Sequence, residues 1–325
     1  MNQVLKKFLA ALLLALTPVL AMAQSFPARS ITFLTPFPPG GGTDVSARML
    51  AQKLAAILGV NVVVENRGGA SGNIGTAQFV KLPADGYNLL FTAQSPITIA
   101  PSLYPKLPFD PGRDLVPLAI TQWTPLIVVS PKSLPADTLQ ELVTLSASQP
   151  GKLFYASPGT GNELHLLGAW LRQELKADLT HVPYKGSGPA LVDLVAGRTH
   201  LLVASPSSVR QYLADGRLKA LATLSQRRLG SLPNVPTASE SGFPVLTAEA
   251  WFGLFAPVKT PQAVMEKIFA AVQLAAQDNV YQQQIRGLGM EPAAVGSAEF
   301  QQLINRYRGL WSDLIRSQSI TPEDG

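Results

Sequence analysis

Two glycine-rich segments of the sequence place polar side chains where a strand is expected to pass into a helix. The first runs from Pro36 to Asp44 (PFPPGGGTD), and the second runs from Tyr155 to His165 (YASPGTGNELH). Glycine lets the backbone approach a ligand closely and adopt positive φ. The free amides of a first helical turn, with the helix dipole behind them, favour an anion. The pattern indicates either a pair of anion-binding loops or, equally, two plain strand-to-helix turns.

Neither segment matches a nucleotide-binding or hydrolytic motif. The first lacks the Gly-Lys-Ser/Thr of a Walker A loop and the spacing of a Rossmann fingerprint, and no GxSxG or HExxH pattern occurs. Asp44 has no basic or nucleophilic partner with a clear place beside it. His165 is better explained as a packed helix residue than as a general base. With no Cys and three His in the chain, we expect no catalytic set, no metal and no cofactor.

Two charged residues near these loops bear on the choice of ligand. Glu163 falls in the first turn of the helix after the second loop, where it either complements the helix dipole or faces the ligand. In the second case, an ionised Glu163 would repel another carboxylate by roughly 4 kcal/mol at about 4 Å and an effective dielectric near 20. The resulting hypothesis is a monocarboxylate, or a zwitterion whose amine meets Glu163. Lys185 is either a ligand contact or a solvated loop cation.

Alternating strand and helix patterns are expected to position both loops. Strands are predicted at 30–35, 61–65, 87–92, 126–129, 152–156, 179–182, 199–204 and 250–256. Helices are predicted at 45–58, 73–81, 138–148, 162–175, 187–196, from 261 onward and at 298–316, with Thr43 and Ser187 as candidate N-caps. The initial β-α-β-α-β order implies a parallel sheet with right-handed crossovers.

The alternation restarts near residue 125, which predicts two α/β lobes. A chain of 325 residues suits two such domains. We assign 24–124 plus 246–325 to lobe 1 and 125–245 to lobe 2, and the two crossings between them are expected to form a hinge. Ligands of such sheets bind beyond the carboxyl ends of the strands, at the N-termini of the helices.

Residues 1–23 have the features of a signal peptide. Lys6 and Lys7 precede an apolar segment, and Ala21-Met22-Ala23 gives a small-x-small cleavage pattern, so the mature chain is expected to begin at Gln24 in the periplasm. A membrane anchor is the alternative, which the short apolar run disfavours. Loss of the two lysines lowers the formal net charge from +5 to +3. The basic residues are scattered, so we expect no nucleic-acid partner, and we expect a monomer.

Several further segments occur together with the glycine-rich loops. They are VVVENR at 62–67, GNIGT at 72–76, ADGY at 84–87, PSLY at 101–104, HVPYKG at 181–186, LPNVPT at 232–237 and WFGLFAP at 251–257. In this order, and with PFPPGGGTD at 36–44, the set resembles the Bug-type receptors, the substrate-binding proteins of tripartite tricarboxylate transporters. The resemblance covers nearly the whole chain after the signal peptide.

The resemblance implies a two-lobed periplasmic-binding-protein fold of the second type, the Venus-flytrap arrangement. It also implies that loops 37–44 and 157–165 hold a ligand carboxylate, partly through ordered waters. The implied ligands are small organic acids or amino acids, and the implied partners are integral membrane transporter subunits. The candidate ligand-binding residues are Phe37, Gly41, Gly42, Thr43, Asp44, Ser95, Ser157, Thr160, Gly161, Asn162, Glu163, His165, Lys185, Gly186 and Ser205.

The sequence departs from the family pattern at two places that are expected to border the ligand. The family often has Thr-Ser-Ser-His where this chain has Asn162-Glu-Leu-His165, and Asp-Asn where it has Ala204-Ser205. Both departures bear on the identity of the ligand. The alternatives to a transport receptor are a protein that presents a ligand to a membrane sensor and an exported hydrolase.

Overall fold

The computed structural model describes residues 26–322, and the predicted signal peptide lies outside them. The strands are β1 (Ile31–Thr35), β2 (Val62–Asn66), β3 (Asn88–Ala93), β4 (Leu115–Thr124), β5 (Ile127–Pro131), β6 (Leu153–Ser157), β7 (Leu179–Pro183), β8 (Leu201–Ala204), β9 (Leu218–Thr223), β10 (Ala250–Pro257) and β11 (Glu291–Gly296). The α-helices are α1 (Gly42–Leu58), α2 (Asn73–Phe79), α3 (Ala100–Leu103), α4 (Pro111–Asp114), α5 (Leu139–Ser148), α6 (Glu163–Leu175), α7 (Ser187–Val195), α8 (Pro206–Ala214), α9 (Gln262–Gln277), α10 (Asn279–Gly287) and α11 (Ser297–Ser317). A π-helical turn, Ser95–Ile99, follows β3.

The strands form two mixed sheets, each with helices packed against it. The first has the order β11-β4-β10-β3-β1-β2 and the second has the order β7-β6-β8-β5-β9. β1 pairs in parallel with β2 and β3, as predicted for the initial repeat. β10 is antiparallel to both β3 and β4, and β5 is antiparallel to both β8 and β9. We call the first sheet with its helices lobe 1 and the second lobe 2; the residue boundaries given above remain predictions.

The two chain crossings between the lobes lie side by side. The Leu224 amide donates to the Leu126 carbonyl at 2.8 Å, and the Ala248 amide donates to the Leu224 carbonyl at 2.9 Å. Each crossing segment is thus hydrogen-bonded to its neighbour, which keeps the lobes joined through a narrow backbone connection.

The C-terminal helix α11 supplies a second link between the lobes. The Trp311 ring packs edge-to-face on Trp170 of α6, with ring centroids 6.5 Å apart, and stacks on Tyr307 at 5.7 Å. On its other side, Phe300 contacts Trp251 of β10 at 4.8 Å. Because α11 belongs to lobe 1 by its sheet contacts and touches α6 of lobe 2, it limits how far the lobes can separate.

Candidate ligand-binding site

A cavity of about 630 Å³ lies between the two lobes. Lobe 1 contributes the start of α1 and the ends of β3, β4 and β10, and lobe 2 contributes β8 and the starts of α6, α7 and α8. A second cavity, of about 840 Å³, adjoins it at Ser208 and is lined in part by Gly42. Of the predicted site residues, the first cavity is lined by Thr43, Ser95, Asn162, Glu163 and Ser205.

Four helix N-termini converge on the first cavity. It is lined by first-turn or capping residues of α1, α6, α7 and α8, namely Thr43, Asn162, Glu163, Ser187, Gly188 and Ser205. Asn162 caps α6, because its Oδ1 accepts from the Leu164 amide at 2.8 Å. The predictions that Thr43 and Ser187 are N-caps are wrong, since α1 begins at Gly42 after the cap Gly41 and α7 begins at Ser187 after the cap Gly186. The convergent amides suit a negatively charged group.

Hydrogen bonds to the Asp44 side chain hold the first glycine-rich loop in place. The buried carboxylate accepts from the Gly40 amide at 2.9 Å, from Asn66 Nδ2 at 2.9 Å and from Arg48 Nε at 3.1 Å. Burial alone would raise the pKa of Asp44, but these hydrogen bonds outweigh it and hold the pKa below its ordinary value. Phe37 is half-buried, and its carbonyl accepts from Asn66 Nδ2. Asp44 and Phe37 therefore shape the loop and do not line either cavity.

The second loop is held in the same way by its own polar side chains. Ser157 is buried and its Oγ lies 2.7 Å from His181 Nε2. The Gly161 amide donates to Nδ1 of His165, whose ring stacks on His181 with centroids 3.9 Å apart. Thr160 is half-buried beside them. Ser157 and His165 fix the curvature of the loop, while Asn162 and Glu163, at its end, reach the cavity.

Lys185 and Gly186 belong to the turn before α7. Lys185 is exposed and lines neither cavity, which agrees with a solvated loop cation. Gly186 has a φ of 104°, and its amide donates to the Pro158 carbonyl at 3.0 Å, so it ties this turn to the second glycine-rich loop. Ligand contact by either residue stays a prediction.

Glu163 lines the cavity, and one of its carboxyl oxygens is unpartnered among the described residues. Its Oε1 is buried and has no hydrogen-bond partner among the described residues, while the Gln94 side chain bonds to its carboxyl group. Burial raises the pKa of Glu163 to about 7, and the bond from Gln94 only partly opposes that rise. Burial therefore works against the fully ionised Glu163 that the sequence-based hypothesis assumes at neutral pH.

Lobe 1 also contributes residues that the sequence did not indicate. Thr124, Ala250, Trp251 and Phe252 come from the adjoining ends of β4 and β10 and line one wall of the cavity. Trp251 is almost fully buried, and its Nε1 has no partner among residues 26–322. The aromatic segment WFGLFAP could have indicated from the sequence that this strand contributes to the site. Only the pairing of β10 with β4 shows which of its residues reach the cavity.

Comparison with known proteins identifies close relatives of this chain. Residues 46–320 match the model of the tripartite tricarboxylate transporter family receptors. The protein BugT of Bordetella pertussis is 36% identical over 295 residues, which cover 90% of each chain. The structure of R. palustris Rpa4515 with adipate has a TM-score of 0.77 at 29% identity, covering 91% of this chain and 99% of that one. MatC from Rhodopseudomonas palustris with bound malate has a TM-score of 0.73 at 31% identity, covering 89% and 100%.

The two lobes and the cavity between them define a substrate-binding protein of the two-lobed periplasmic type, which confirms the predicted fold class. The chain belongs to the tripartite tricarboxylate transporter family receptors. The resemblance to Bug-type receptors is thereby confirmed. Within residues 26–322, no helix combines the length and hydropathy needed to span a membrane.

Proposed function

We propose that this receptor binds a small organic acid in the periplasm, in the cavity between its lobes, and delivers it to integral membrane transporter subunits without altering it. The observation that carries this proposal is the convergence of four helix N-termini on a cavity where no lysine, arginine or histidine is among the described lining residues. A carboxylate there would be bound by backbone amides and hydroxyls. The dicarboxylates bound to Rpa4515 and MatC support the same class of ligand.

The proposal includes that the receptor does not catalyse a reaction of its bound acid. Asp44 and His165, the side chains nearest to a catalytic role, are each engaged in hydrogen bonds that shape a loop. Catalysis would require a nucleophile and a base that reach one point in the cavity. Incubation with a bound acid should therefore return that acid unchanged, as mass spectrometry of the released ligand would record.

Calorimetry with a panel of four- to six-carbon acids tests ligand capture. A true ligand should bind with one site per chain and stabilise the fold by about 2.7 kcal/mol at a hundredfold excess over its dissociation constant. Ser187→Trp would place a large ring in the cavity from the exposed start of α7 and should abolish binding. Ser239→Trp, at an exposed turn of lobe 2 outside both cavities, is the matched control and should bind normally.

Lobe closure is the second part of the test. The narrow connection at Leu126, Leu224 and Ala248 suits a hinge, so small-angle scattering should record a smaller radius of gyration when ligand is added. Binding with an unchanged radius of gyration would contradict the hinge, although it would leave ligand capture itself intact.

A further inference from the structure

Three residues that line the cavity carry buried polar atoms left unpaired in the described part of the protein. Oγ1 of Thr124, Oε1 of Glu163 and Nε1 of Trp251 are buried, belong to residues that line the cavity, and have no hydrogen-bond partner among residues 26–322. Buried polar atoms in folded proteins are nearly always paired, and leaving one unpaired is costly. We therefore expect a bound molecule or ordered water to pair with them. Of the three atoms, the glutamate oxygen places the strongest restriction on a ligand, because its carboxyl group can ionise.

Glu163 is the only acidic or basic side chain among the described residues that line this cavity. When Glu163 is ionised, the amide group of Gln94 donates to its carboxylate, since an ionised carboxylate only accepts. This leaves Gln94 Oε1, which is also buried without a partner. In that state neither Glu163 Oε1 nor Gln94 Oε1 has a donor among the described residues, and no cationic side chain is among those that line the cavity.

The surrounding elements do not neutralise the Glu163 charge. Tyr307 of α11 lies within electrostatic range of the Glu163 carboxyl group. Burial, and to a smaller extent repulsion by Glu163, raise the pKa of Tyr307 to about 12. The Tyr307 hydroxyl is itself bonded to the backbone of Glu249, a second acidic residue. Burial acts in the same direction and disfavours the ionised form of Glu163. A cationic group brought by a ligand would supply the missing counter-charge.

We propose that Glu163 forms an ammonium-binding subsite, so that the preferred ligand is a small zwitterion with an amine as well as a carboxylate. This inference rests on the proposed function, in which the helix N-termini hold the carboxylate. The amine would donate to Glu163 Oε1, and on binding, Glu163 would release the proton that it retains in the free receptor. A dicarboxylate would instead bring a second negative charge to the same carboxyl group and would require Glu163 to stay protonated.

A matched four-carbon series tests the proposal by calorimetry at neutral pH. The probes are butanoate, 2-aminobutanoate, 4-aminobutanoate and succinate, each titrated in two buffers that differ in ionisation enthalpy. We expect one of the two amino acids to bind most tightly and to release a fraction of a proton per site. Glu163→Gln should weaken that binding about tenfold or more, as for loss of a charge-assisted hydrogen bond, and should abolish the proton release.

Glu141→Gln is the control, because Glu141 is also a first-turn glutamate of a lobe 2 helix but is exposed and outside the cavity. It should change neither the affinity nor the proton release. Glu163→Ser, which also removes the carboxyl, replaces Glu163→Gln if the latter does not fold.

The outcomes separate this inference from the proposed function. Succinate binding more tightly than either amino acid, with uptake of a proton, would overturn the inference and make protonated Glu163 a donor to a carboxylate. The inference would also be overturned if Glu163→Gln weakened the binding of butanoate and of the amino acids by the same factor. If no member of the series binds, both the inference and ligand capture in this size range fail.

Discussion

The Asp44 carboxylate lies 2.9 Å from the Gly40 backbone amide, so that the side chain closes the loop from which it projects. The other carboxyl oxygen accepts from Asn66 at the end of β2. One buried group thus joins the first glycine-rich loop, the first turn of α1 and the edge strand of lobe 1. The polar motif residue stabilises the arrangement of helix amides that face the cavity, without lining the cavity itself.

Removing this carboxylate should therefore affect both stability and binding. Asp44→Ala leaves the Gly40 amide and one N–H of Asn66 Nδ2 without their acceptor, while Nδ2 keeps its bond to the Phe37 carbonyl. The free energy of unfolding should fall by about 1–3 kcal/mol. Ligand affinity should also fall, because the loop is no longer held. Urea denaturation and calorimetry measure the two effects. In Asp114→Ala, which also removes a carboxylate bonded to a loop amide but far from the cavity, stability should fall while affinity is retained.

The same residue predicts a pH dependence. Because the folded-state pKa of Asp44 is lowered, its contribution to stability is present above the unfolded value of 3.8 and is lost as the pH falls through the folded value. The difference in unfolding free energy between wild type and Asp44→Asn should therefore shrink on acidification below about pH 4. A difference that stays constant down to acid unfolding would show that the charge of Asp44 is not what stabilises the loop.

Gly161 of the second loop should resist replacement by a residue that has a Cβ. Its φ is +73°, and a Cβ at this position would lie 2.5 Å from Leu103 Cδ2 in lobe 1. Gly216 is the control, because it has a φ of +65° with open space around it. Its replacement by Ala should cost only the free energy of holding a residue with a Cβ at positive φ, about 1–2 kcal/mol. Gly161→Ala should destabilise more than Gly216→Ala in thermal unfolding. In the double variant Gly161→Ala/Leu103→Ala, the smaller side chain at 103 should restore part of the stability that Gly161→Ala loses. If the stability losses of the two single variants simply add in the double variant, the steric explanation is wrong.

Glu163 should make stability fall as the pH rises from about 4.5 to 7. Its unfolded form ionises near 4.5 while the folded form keeps its proton to about 7, so the unfolded state binds fewer protons in this window. The difference of pKa values corresponds to a loss on the order of 3 kcal/mol, complete above about pH 7. Denaturation across this range should give a flatter profile for Glu163→Gln than for wild type. Parallel profiles would show that Glu163 is solvated.

Export gives a prediction for the N-terminus. The Lys6-Lys7 pair, the apolar segment and Ala21-Met22-Ala23 predict cleavage after Ala23. N-terminal sequencing of the exported protein should begin at Gln24, and osmotic shock should release it. Recovery of the intact chain in the membrane fraction would support the anchor instead.

Much of the fold was predictable because its strands are apolar runs bounded by glycine and proline. The elements that were not predicted depend on tertiary pairing. β11 has the sequence EPAAVG, which is poor in strand-forming residues, and it forms a strand because β4 pairs with it. β4 itself contains Pro117, which weakens a sequence-based strand assignment. The start of α8 could have been found from Pro206 at its first position.

The site was predictable to the level of its loops. Glycine-rich strand ends indicated which helix N-termini face a ligand, and Thr43, Asn162 and Glu163 do line the cavity. Residues that shape a loop lie beside those that reach the cavity, so sequence alone could not separate Ser157 and His165 from Glu163. Trp251 was missed because only the pairing of β10 with β4 shows which residues of that predicted strand reach the cavity.

A crystal structure with the tightest-binding acid of the four-carbon series would show where the receptor holds its ligand. The acid should occupy the cavity between the lobes, with its carboxylate bonded to backbone amides at the starts of α1 and α6. Oε1 of Glu163 should lie within hydrogen-bond distance of the ligand amine. An acid bound outside this cavity, or one whose carboxylate contacts none of the four helix N-termini, would show that this cavity is not the binding site described above.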